Sequence, residues 1–224
     1  MKKLSDSDIR EFRSRVVTGA DRLGIKVSDH QAEQMSAFLR ELVLWNSKIN
    51  LTAIRDPLVM AEKHFIDSIA VIPFIRTDIF FMDMGSGGGF PGIPLKIMLP
   101  DLNMVLLDSS RKKVNFSKHV IRTLGLEKID AVHARAEELA CSDQYQGRFD
   151  AVISRAFADL DRFAVLAHPF LSDNGCLYAM KARRALGEIT SKIRQQFEIT
   201  TDHYRLPFEK SERCFITLSL HRTS

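Results

Sequence analysis

The sequence feature that most constrains the fold is a glycine-rich segment that directly follows a short apolar run. The apolar run is Ile79-Phe80-Phe81-Met82, and the glycine-rich segment is Asp83-Met84-Gly85-Ser86-Gly87-Gly88-Gly89-Phe90-Pro91-Gly92. Clustered glycines allow the backbone to adopt positive φ and to approach a ligand closely. In doubly wound α/β sheets, such a loop after the first strand lies at the ligand crevice. The segment therefore predicts a buried strand that ends in a small-molecule site.

Two nucleotide ligands fit this segment, and its prolines favour one of them. Residues 87–92 match the dinucleotide pattern Gly-x-Gly-x-x-Gly, which is weak evidence by itself. Residues 83–89 match the Asp-x-Gly-x-Gly-x-Gly loop of enzymes that bind S-adenosylmethionine (SAM). A dinucleotide needs free N–H groups at a helix N-terminus for its pyrophosphate, and Pro91 and Pro94 each remove one. Because SAM has no phosphate, the loop favours SAM.

Downstream of this loop, short apolar runs alternate with helical patterns. Strands are predicted at 104–107, 129–133, 149–153, 175–180, 198–204 and 214–221, and helices at 95–99, 112–124, 159–167 and 185–196. Such alternation implies a parallel sheet with helices on both sides, and the last two strands suit the closing hairpin of methyltransferases. The predicted fold class is α/β: a Rossmann-like class I SAM-dependent methyltransferase with a seven-stranded, mostly parallel sheet.

The first 75 or so residues have a helical pattern instead. Ser28 and Gln31 fit a capping box, after which apolar residues recur at helical spacing, and Ser5 is a candidate cap for an earlier helix. Asn50-Leu51-Thr52 interrupts the pattern and Pro57 restarts it. We therefore predict an N-terminal helical extension over residues 1–76 and a Rossmann-like SAM-binding domain over residues 77–224.

Composition excludes several protein classes. The 224 residues are 45% hydrophobic and 27% charged, as in ordinary folded proteins. The N-terminus has no apolar signal core, and no apolar run approaches the roughly 20 residues of a membrane span, so the expected location is the cytoplasm. The cysteines Cys141, Cys176 and Cys214 have no CxxC spacing, which argues against disulfides and a zinc site. Cys176 and Cys214 lie in apolar runs and are predicted to be buried.

The distribution of charge is more informative than the net charge of +4. Residues 96–122 and 181–194 are locally basic, which suits contact with phosphates, although a solvated helix face explains such a pattern equally well. The candidate RNA-binding residues are Arg111, Lys112, Lys113, Lys118, Lys181, Arg183 and Arg184. Asp108 ends the second strand, where a carboxylate can accept both ribose hydroxyls. NAD and SAM both need that contact, so Asp108 supports a nucleoside without choosing between them.

Through most of its length the chain resembles the RsmG (GidB) family of bacterial 16S ribosomal RNA guanine-N7 methyltransferases. The resemblance rests on Trp45-Asn46, Asn50-Leu51-Thr52-Ala53-Ile54, His64 with Asp67-Ser68, Gly85-Ser86-Gly87-Gly88-Gly89-Phe90-Pro91-Gly92-Ile93-Pro94-Leu95, Asp108-Ser109 with Lys112-Lys113, Arg135-Ala136-Glu137 and Ser154-Arg155-Ala156. The Gly-Phe-Pro-Gly-Ile-Pro-Leu block at residues 89–95 is far more specific than a generic glycine loop.

The resemblance implies a SAM site and a role for several of its residues. The implied cofactor-binding residues are Gly85, Ser86, Gly87, Gly89, Phe90, Asp108, Ser109, Ala136, Glu137 and Arg155. Gly85 and Phe90 would line the methionine and sulfonium part of SAM, Asp108 would hold the ribose, and Ala136-Glu137 would bracket the adenine. Simple packing of Phe90 and a helix-dipole role for Glu137 remain open.

Arg155, His64 and Asp67 are the predicted catalytic residues. Arg155 is expected to face the crevice from the end of the fourth strand, where a guanidinium can hold the SAM carboxylate or an RNA phosphate; a structural ion pair is the alternative. His64 and Asp67 are one helical turn apart and are predicted to form a polar cluster near the substrate mouth. Because no third ligand accompanies them, no metal site is predicted.

The implied target atom, guanine N7, carries a free lone pair. It can attack the methyl group with no proton to remove, so we expect catalysis through alignment and desolvation without an obligatory general base. The implied substrate is 16S ribosomal RNA or the small ribosomal subunit. Three alternatives remain: methylation of another RNA, a nucleotide-dependent oxidoreductase that uses the same loop, and a non-catalytic RNA-binding or assembly factor with a nucleoside pocket.

Overall fold

The fold begins with two capped helices. The structure, a computed structural model, describes residues 4–155, 159–182, 187 and 189–221. Helices α1 (Asp6–Arg22) and α2 (Asp29–Ile49) start at the capping boxes of Ser5 and Ser28, as the sequence predicts. Asn50 ends α2 in the left-handed region, with a φ of 42°.

Residues 57–69 form one helical segment in three parts: α3 (Pro57–Met60), a π-helix (Ala61–Ile66) and α4 (Asp67–Ile69). Asp56 caps its start by accepting the N–H groups of the next two non-proline residues at 2.9 Å, and Pro57 supplies a helical φ. The sequence predicts the restart at Pro57 but not the π-helix. Single-turn π-helices recur at functional sites, and this one carries His64.

Seven strands form one sheet in the order β3-β2-β1-β4-β5-β7-β6. Their bounds are β1 (Phe80–Met84), β2 (Asn103–Asp108), β3 (Ile129–His133), β4 (Phe149–Ser154), β5 (Leu171–Ala182), β6 (Phe197–Arg205) and β7 (Glu212–Leu220). Strands β1 to β5 are parallel, and β7 is antiparallel to β5 and β6. This order and direction confirm the predicted fold class. Strand β5 is longer than predicted at both ends, since it already pairs with β4 at Leu171 and its pairing with β7 continues as far as Ala182.

Helices connect the strands on both faces of the sheet. They are α5 (Gly92–Met98), α6 (Arg111–Thr123), α7 (Ala136–Leu139), α8 (Leu160–Ala167) and α9 (Ser191–Gln196), with short 3-10 turns at Ile72–Phe74 and His168–Phe170. The helix predicted near 185–196 is described only as α9, since residues 183–186 and 188 lie outside the described residues. None of the described helices is long and apolar enough to span a membrane.

The N-terminal helices pack on one face of the sheet. Phe12, Phe38 and Phe65 are fully buried in the same apolar cluster as Phe81 of β1. Burial of each such ring stabilises the fold by roughly 1.5–3 kcal/mol. The other face is covered by α8 and α9, and Cys176 and Cys214 are buried as predicted. The helices of the predicted extension thus share a core with the sheet, and the boundary at residue 76 stays a prediction.

Candidate active site

The glycine-rich loop is fixed to the second strand by its own backbone. Gly85 and Gly87 have φ values of 75° and 58°, which side chains disfavour. The N–H groups of Gly85 and Ser86 donate to the carbonyl of Leu107 at 2.8 and 3.0 Å. The N–H of Gly87 donates to the carboxylate of Asp108 at 2.8 Å. The two strand ends and the loop therefore form one rigid edge.

The first turn of α5 follows this loop, and its N–H groups are already used. The N–H of Gly92 donates to Asp83 at 2.8 Å, and those of Ile93 and Leu95 donate to loop carbonyls at 2.8 and 3.1 Å. Pro94 has no N–H to offer. This turn, which lies wholly within the described residues, leaves no donor for a pyrophosphate and disfavours a dinucleotide.

A crevice of about 350 Å³ opens at the C-terminal ends of β1, β2 and β3. Its lining residues are Met84, Gly85, Leu107, Asp108, Ser109, Ala134, Arg135, Ala136, Glu137, Arg162 and Leu166. The volume is within the range of small-molecule sites. The structure thus brings together five predicted cofactor residues: Gly85, Asp108, Ser109, Ala136 and Glu137.

Asp108 is oriented by two backbone groups. Its Oδ2 accepts the N–H of Gly87 and its Oδ1 accepts the N–H of Ser110, both at 2.8 Å. Each carboxylate oxygen has two lone pairs, so one on each remains for a ligand hydroxyl. The two N–H groups thereby fix the orientation of the carboxylate at the edge of the crevice.

Three other predicted cofactor residues, Ser86, Gly89 and Phe90, are buried. The ring of Phe90 stacks on His64 at 4.8 Å and on Phe38 at 5.0 Å between ring centroids. Phe90 is not one of the described residues that line the crevice. Cζ of Arg155 also lies 5.2 Å from the centroid of the ring, and the predicted contact of Phe90 with the cofactor stays a prediction.

Arg155 directly follows β4, as predicted, but its guanidinium is directed at the π-helix. Nη1 donates to the carbonyl of Lys63 at 3.0 Å, and Nη2 lies 3.4 Å from Nδ1 of His64. The carboxylate of Asp67 lies 3.9 Å from Nη1. The guanidinium turns this way because the π-helix presents the carbonyl of Lys63 and α4 presents the carboxylate of Asp67. These contacts fit the alternative that Arg155 forms a structural ion pair. The Arg155 side chain is 20% exposed, so part of it lies at the surface.

His64 connects Arg155 to the segment that follows α2. Its Nε2 lies 2.8 Å from the hydroxyl oxygen of Thr52. Burial, together with the positive charge of Arg155, lowers the pKa of His64 to about 3. The imidazole is therefore neutral at pH 7.

Asp67 joins this group to the closing hairpin of the sheet. The hydroxyl of Tyr204 donates to Asp67 at 2.9 Å, and Nε of Arg213 lies 3.6 Å away. Burial raises the pKa of Asp67, and the charges of Arg155 and Arg213 oppose that rise. We call His64, Asp67, Arg155, Tyr204 and Arg213 the Arg155 cluster. The predicted grouping of His64 with Asp67 is present, with two hairpin residues added.

Asp83 lies beneath the glycine loop and is fully buried. Its Oδ2 accepts the N–H of Gly92, while its Oδ1 has no hydrogen-bond partner among the described residues. Burial raises the pKa of Asp83 to about 7, although the Gly92 N–H and the charge of Arg155 both lower it. Part of this carboxyl group is therefore protonated at neutral pH.

The candidate RNA-binding residues of α6 lie on its solvent side. Arg111, Lys112 and Lys118 are exposed and Lys113 is half-buried. Lys181 lies near the end of β5, at the same edge of the sheet as the crevice. Arg183 and Arg184 lie outside the described residues. In the part of the chain that the structure describes, no group of His, Cys, Asp and Glu side chains has the arrangement of a metal site.

Sequence comparison places the chain in a family. Residues 31–216 match the model of GidB, rRNA small subunit methyltransferase G. The chain is 39% identical over 213 residues to Ribosomal RNA small subunit methyltransferase G of Geotalea uraniireducens (strain Rf4), covering 91% of this chain and 94% of the relative. It is 36% identical over 209 residues to the protein of the same name from Myxococcus xanthus (strain DK1622), with 92% and 96% covered. The chain belongs to the GidB family.

Solved structures support the fold of this GidB family member. TYW2 of M. jannaschii in complex with AdoMet is 14% identical, with a TM-score of 0.55 over 72% of this chain and 77% of that one. A SAM-dependent methyltransferase from Aquifex aeolicus is 12% identical, with a TM-score of 0.54 over 72% and 92%. At such low identity these likenesses show the class I methyltransferase fold alone.

Sequence reasoning assigned no role to Thr52, Tyr204 or Arg213. Thr52 belongs to a segment that marks the GidB resemblance, but nothing in the sequence connects it with His64. Tyr204 and Asp67 are 137 positions apart. No local pattern signals such a contact, because it depends on how the closing hairpin packs against the N-terminal helices.

Proposed function

We propose that this protein is a cytoplasmic enzyme that transfers a methyl group from SAM to N7 of a guanine in 16S ribosomal RNA. The observation that carries the proposal is the GidB family match over residues 31–216. The crevice lies where a class I methyltransferase fold accommodates its cofactor, which supports the same conclusion. The name shared by the relatives supplies the ribosomal substrate, and the resemblance supplies the N7 position.

The crevice residues fit SAM. Asp108 has oriented carboxylate oxygens with spare lone pairs for the ribose hydroxyls. Ala136 and Glu137, at the start of α7, would bracket the adenine, and Gly85 would lie along the methionine part. The occupied N–H groups at the start of α5 are no handicap for SAM because it has no pyrophosphate. When bound, SAM supplies a methyl group activated by a positively charged sulfur.

The residues of the chain serve alignment rather than proton transfer. Guanine N7 has no proton to lose, so the enzyme needs no general base. Both nitrogens of the His64 imidazole are engaged, with Thr52 and Arg155, which suits a positioning role. Arg155 would hold the SAM carboxylate or an RNA phosphate through its guanidinium, since part of its side chain reaches the surface.

Helix α6 supports an RNA surface next to the crevice. It carries the cations Arg111, Lys112, Lys113, Lys118 and Arg122 and no acidic residue. Among the described residues, none of these five forms an ion pair. Three of them lie in the first turn, where the helix dipole disfavours positive charge by typically about 0.3–1 kcal/mol each. A phosphate backbone at this surface would offset that cost.

Calorimetry tests the cofactor. We expect SAM to bind and NAD not to bind. NAD binding without SAM binding would instead support a nucleotide-dependent oxidoreductase.

A methyl-transfer assay with tritiated SAM tests the reaction. The substrates are small subunits and naked 16S RNA from a strain that lacks the enzyme, and mass spectrometry of the labelled RNA identifies 7-methylguanine. Label in another RNA would identify that RNA, and not 16S ribosomal RNA, as the substrate. SAM binding without label in any RNA would favour a non-catalytic assembly factor.

A further inference from the structure

A chain of hydrogen bonds runs from α2 to the end of β4. The side-chain amide of Asn46 holds the backbone of Thr52: Nδ2 donates to the Thr52 carbonyl and Oδ1 accepts the Thr52 N–H, both at 2.9 Å. The hydroxyl oxygen of Thr52 lies 2.8 Å from Nε2 of His64. On the other side of the imidazole, Nδ1 of His64 lies 3.4 Å from Nη2 of Arg155.

The donors and acceptors of this chain fix the proton of His64. A guanidinium only donates hydrogen bonds, so Nδ1 of His64 must accept. A neutral imidazole then carries its proton on Nε2 and donates it to the Thr52 oxygen. The N–H of Ile54 also donates to that oxygen, at 3.1 Å. The Thr52 oxygen has two lone pairs, so it can accept from His64 and Ile54 together. Within the described part of the chain, the opposite tautomer would have only the backbone of Lys63 as its acceptor, whose carbonyl Arg155 already uses, and would set two N–H groups against each other between His64 and Arg155.

Burial holds the chain in this state. Asn46 is 5% exposed, and the ring of His64 is stacked on Phe90. Because the pKa of His64 is lowered to about 3, the imidazole does not gain the second proton that would repel Arg155. Two hydrogen bonds to Asn46 hold the backbone of Thr52 in place beside His64.

We propose that Asn46 and Thr52 are positioning residues that select the Nε2–H tautomer of His64 and thereby orient the guanidinium of Arg155 for the methyl-transfer reaction. Asp67 holds the same guanidinium from the other side, so Arg155 is gripped between a neutral acceptor and a carboxylate. The kinetic part of this inference rests on the proposed function, whereas the tautomer part does not.

The test combines spectroscopy with kinetics on the full chain. Nitrogen-15 NMR of the histidine ring nitrogens, with the His64 signals assigned from a His64→Gln sample, should show a protonated Nε2 and an unprotonated Nδ1 in the unaltered protein. Thr52→Val removes the hydroxyl at nearly constant shape and should mix the tautomers. It should lower kcat/KM for SAM about tenfold, the equivalent of one hydrogen bond of about 1.4 kcal/mol. Thr52→Ser keeps the hydroxyl and should therefore keep both the single tautomer of His64 and the kcat/KM of the unaltered protein.

Thr217→Val is the matched control. Thr217 is half-buried on β7, and its hydroxyl has no hydrogen-bond partner among the described residues, so its loss should change neither the His64 signals nor turnover. Asn46→Asp is a second variant, since a carboxylate accepts the Thr52 N–H but cannot donate to the Thr52 carbonyl. It should shift the His64 signals in the same direction as Thr52→Val.

Several outcomes would overturn the proposal. The first is an Nδ1–H tautomer in the unaltered protein. The second is a set of His64 signals that Thr52→Val leaves unchanged. The third is a kcat/KM for SAM that falls as far in Thr52→Ser as in Thr52→Val. The first measurement is made on the unaltered protein, with His64→Gln used only for assignment, and so stands even if Thr52→Val does not fold. If the unaltered protein methylates no ribosomal RNA, the proposed function fails while the tautomer result still decides the hydrogen-bond chain.

Discussion

The glycine loop and the Arg155 cluster lie at the same edge of the sheet but are built in opposite ways. The loop presents backbone groups, is held to one neighbouring strand and borders an open crevice of about 350 Å³. The cluster presents side chains from the π-helix, α4, the end of β4 and the closing hairpin, and these side chains are mostly buried and engaged with each other. One region is ready to receive a ligand, and the other is a packed support.

This difference suggests a division of labour. A site formed by backbone and one oriented carboxylate suits recognition of a nucleoside through fixed geometry. A buried side-chain cluster instead fixes one guanidinium beside the π-helix, at the cost of desolvating several charges. Substitutions in the loop should therefore affect cofactor binding, whereas substitutions in the cluster should affect catalysis and stability together.

The largest expected effect is that of Gly87→Asp on SAM binding. Residue 87 has a positive φ, and its N–H is bonded to Asp108. A second carboxylate beside Asp108 would repel it by about 4 kcal/mol at a separation of 4 Å in partly screened surroundings and displace it from the ribose. Calorimetry should show SAM affinity reduced by about 100-fold or more.

Gly24→Asp is the control for Gly87→Asp. Gly24 has a similar φ of 74° and nothing near its missing Cβ, so this variant has the same backbone strain far from the crevice. It should bind SAM normally. Equal losses in the two variants would mean that backbone strain, and not the site, governs affinity.

The two regions also differ in how far the sequence could predict them. The glycine loop, its strand and Asp108 are local patterns, since a glycine spacing and a strand-end acid specify their own geometry. The Arg155 cluster joins residues such as Asp67 and Tyr204 that are distant in the chain, so periodicity could identify His64 and Asp67 as neighbours on one helix but not their hairpin partners. The direction of the Arg155 side chain depended on the acceptors of an unpredicted π-helix.

Arg155→Ala is expected to have the second largest effect. It leaves Nδ1 of His64 and the carbonyl of Lys63 without their donor and removes one of the two cations beside Asp67. Loss of a charge-assisted contact costs about 1.5–3 kcal/mol, so kcat/KM should fall roughly 10- to 100-fold in the tritium assay. Circular dichroism should show a folded protein with a lower midpoint of thermal unfolding.

Arg13→Ala provides the comparison for Arg155→Ala. Arg13 is paired with Asp29 and Glu33 on exposed helix surfaces, where such pairs contribute little. Its loss should leave turnover unchanged. If Arg155→Ala lowers stability but leaves kcat/KM intact, the cluster is only a structural support.

The double change Lys112→Glu with Lys113→Glu separates RNA binding from stability. Acidic residues suit the first turn of α6 better than lysines do, so thermal stability should be maintained or raised. RNA affinity should nevertheless fall roughly tenfold, with a salt dependence flatter by about one to two units of slope if both lysines contact phosphates. Filter binding over a series of salt concentrations measures both quantities.

Arg10→Glu with Lys26→Glu makes the same change in net charge on the N-terminal helical side of the chain. Both residues are exposed. RNA affinity that falls equally in the two double variants would indicate a response to overall charge rather than a surface on α6. SAM affinity should stay constant in both.

The smallest expected effect concerns the pH dependence of stability, in which the two regions oppose each other. Asp83 has a pKa of about 7 in the fold against an ordinary 3.8, so between these values the folded state holds a proton that the unfolded state lacks, and stability falls as pH rises. His64 has a pKa of about 3 against an ordinary 6.5, so its effect has the opposite sign. Each slope is at most about 1.4 kcal/mol per pH unit.

Asp83→Asn should remove one of these two opposing pH effects on stability. The asparagine oxygen can still accept the Gly92 N–H, while its amide replaces the carboxylate oxygen that has no partner among the described residues. With Asp83 gone, only the raised pKa of Asp67 still opposes the His64 effect, so urea unfolding should show the variant gaining stability over the unaltered protein as pH rises from about 4 to 7. His64→Gln should show the reverse trend. Parallel curves of stability against pH for all three proteins would mean that Asp83 and His64 each have the same pKa in the folded and unfolded states. The expected opposition between these two groups would then be wrong.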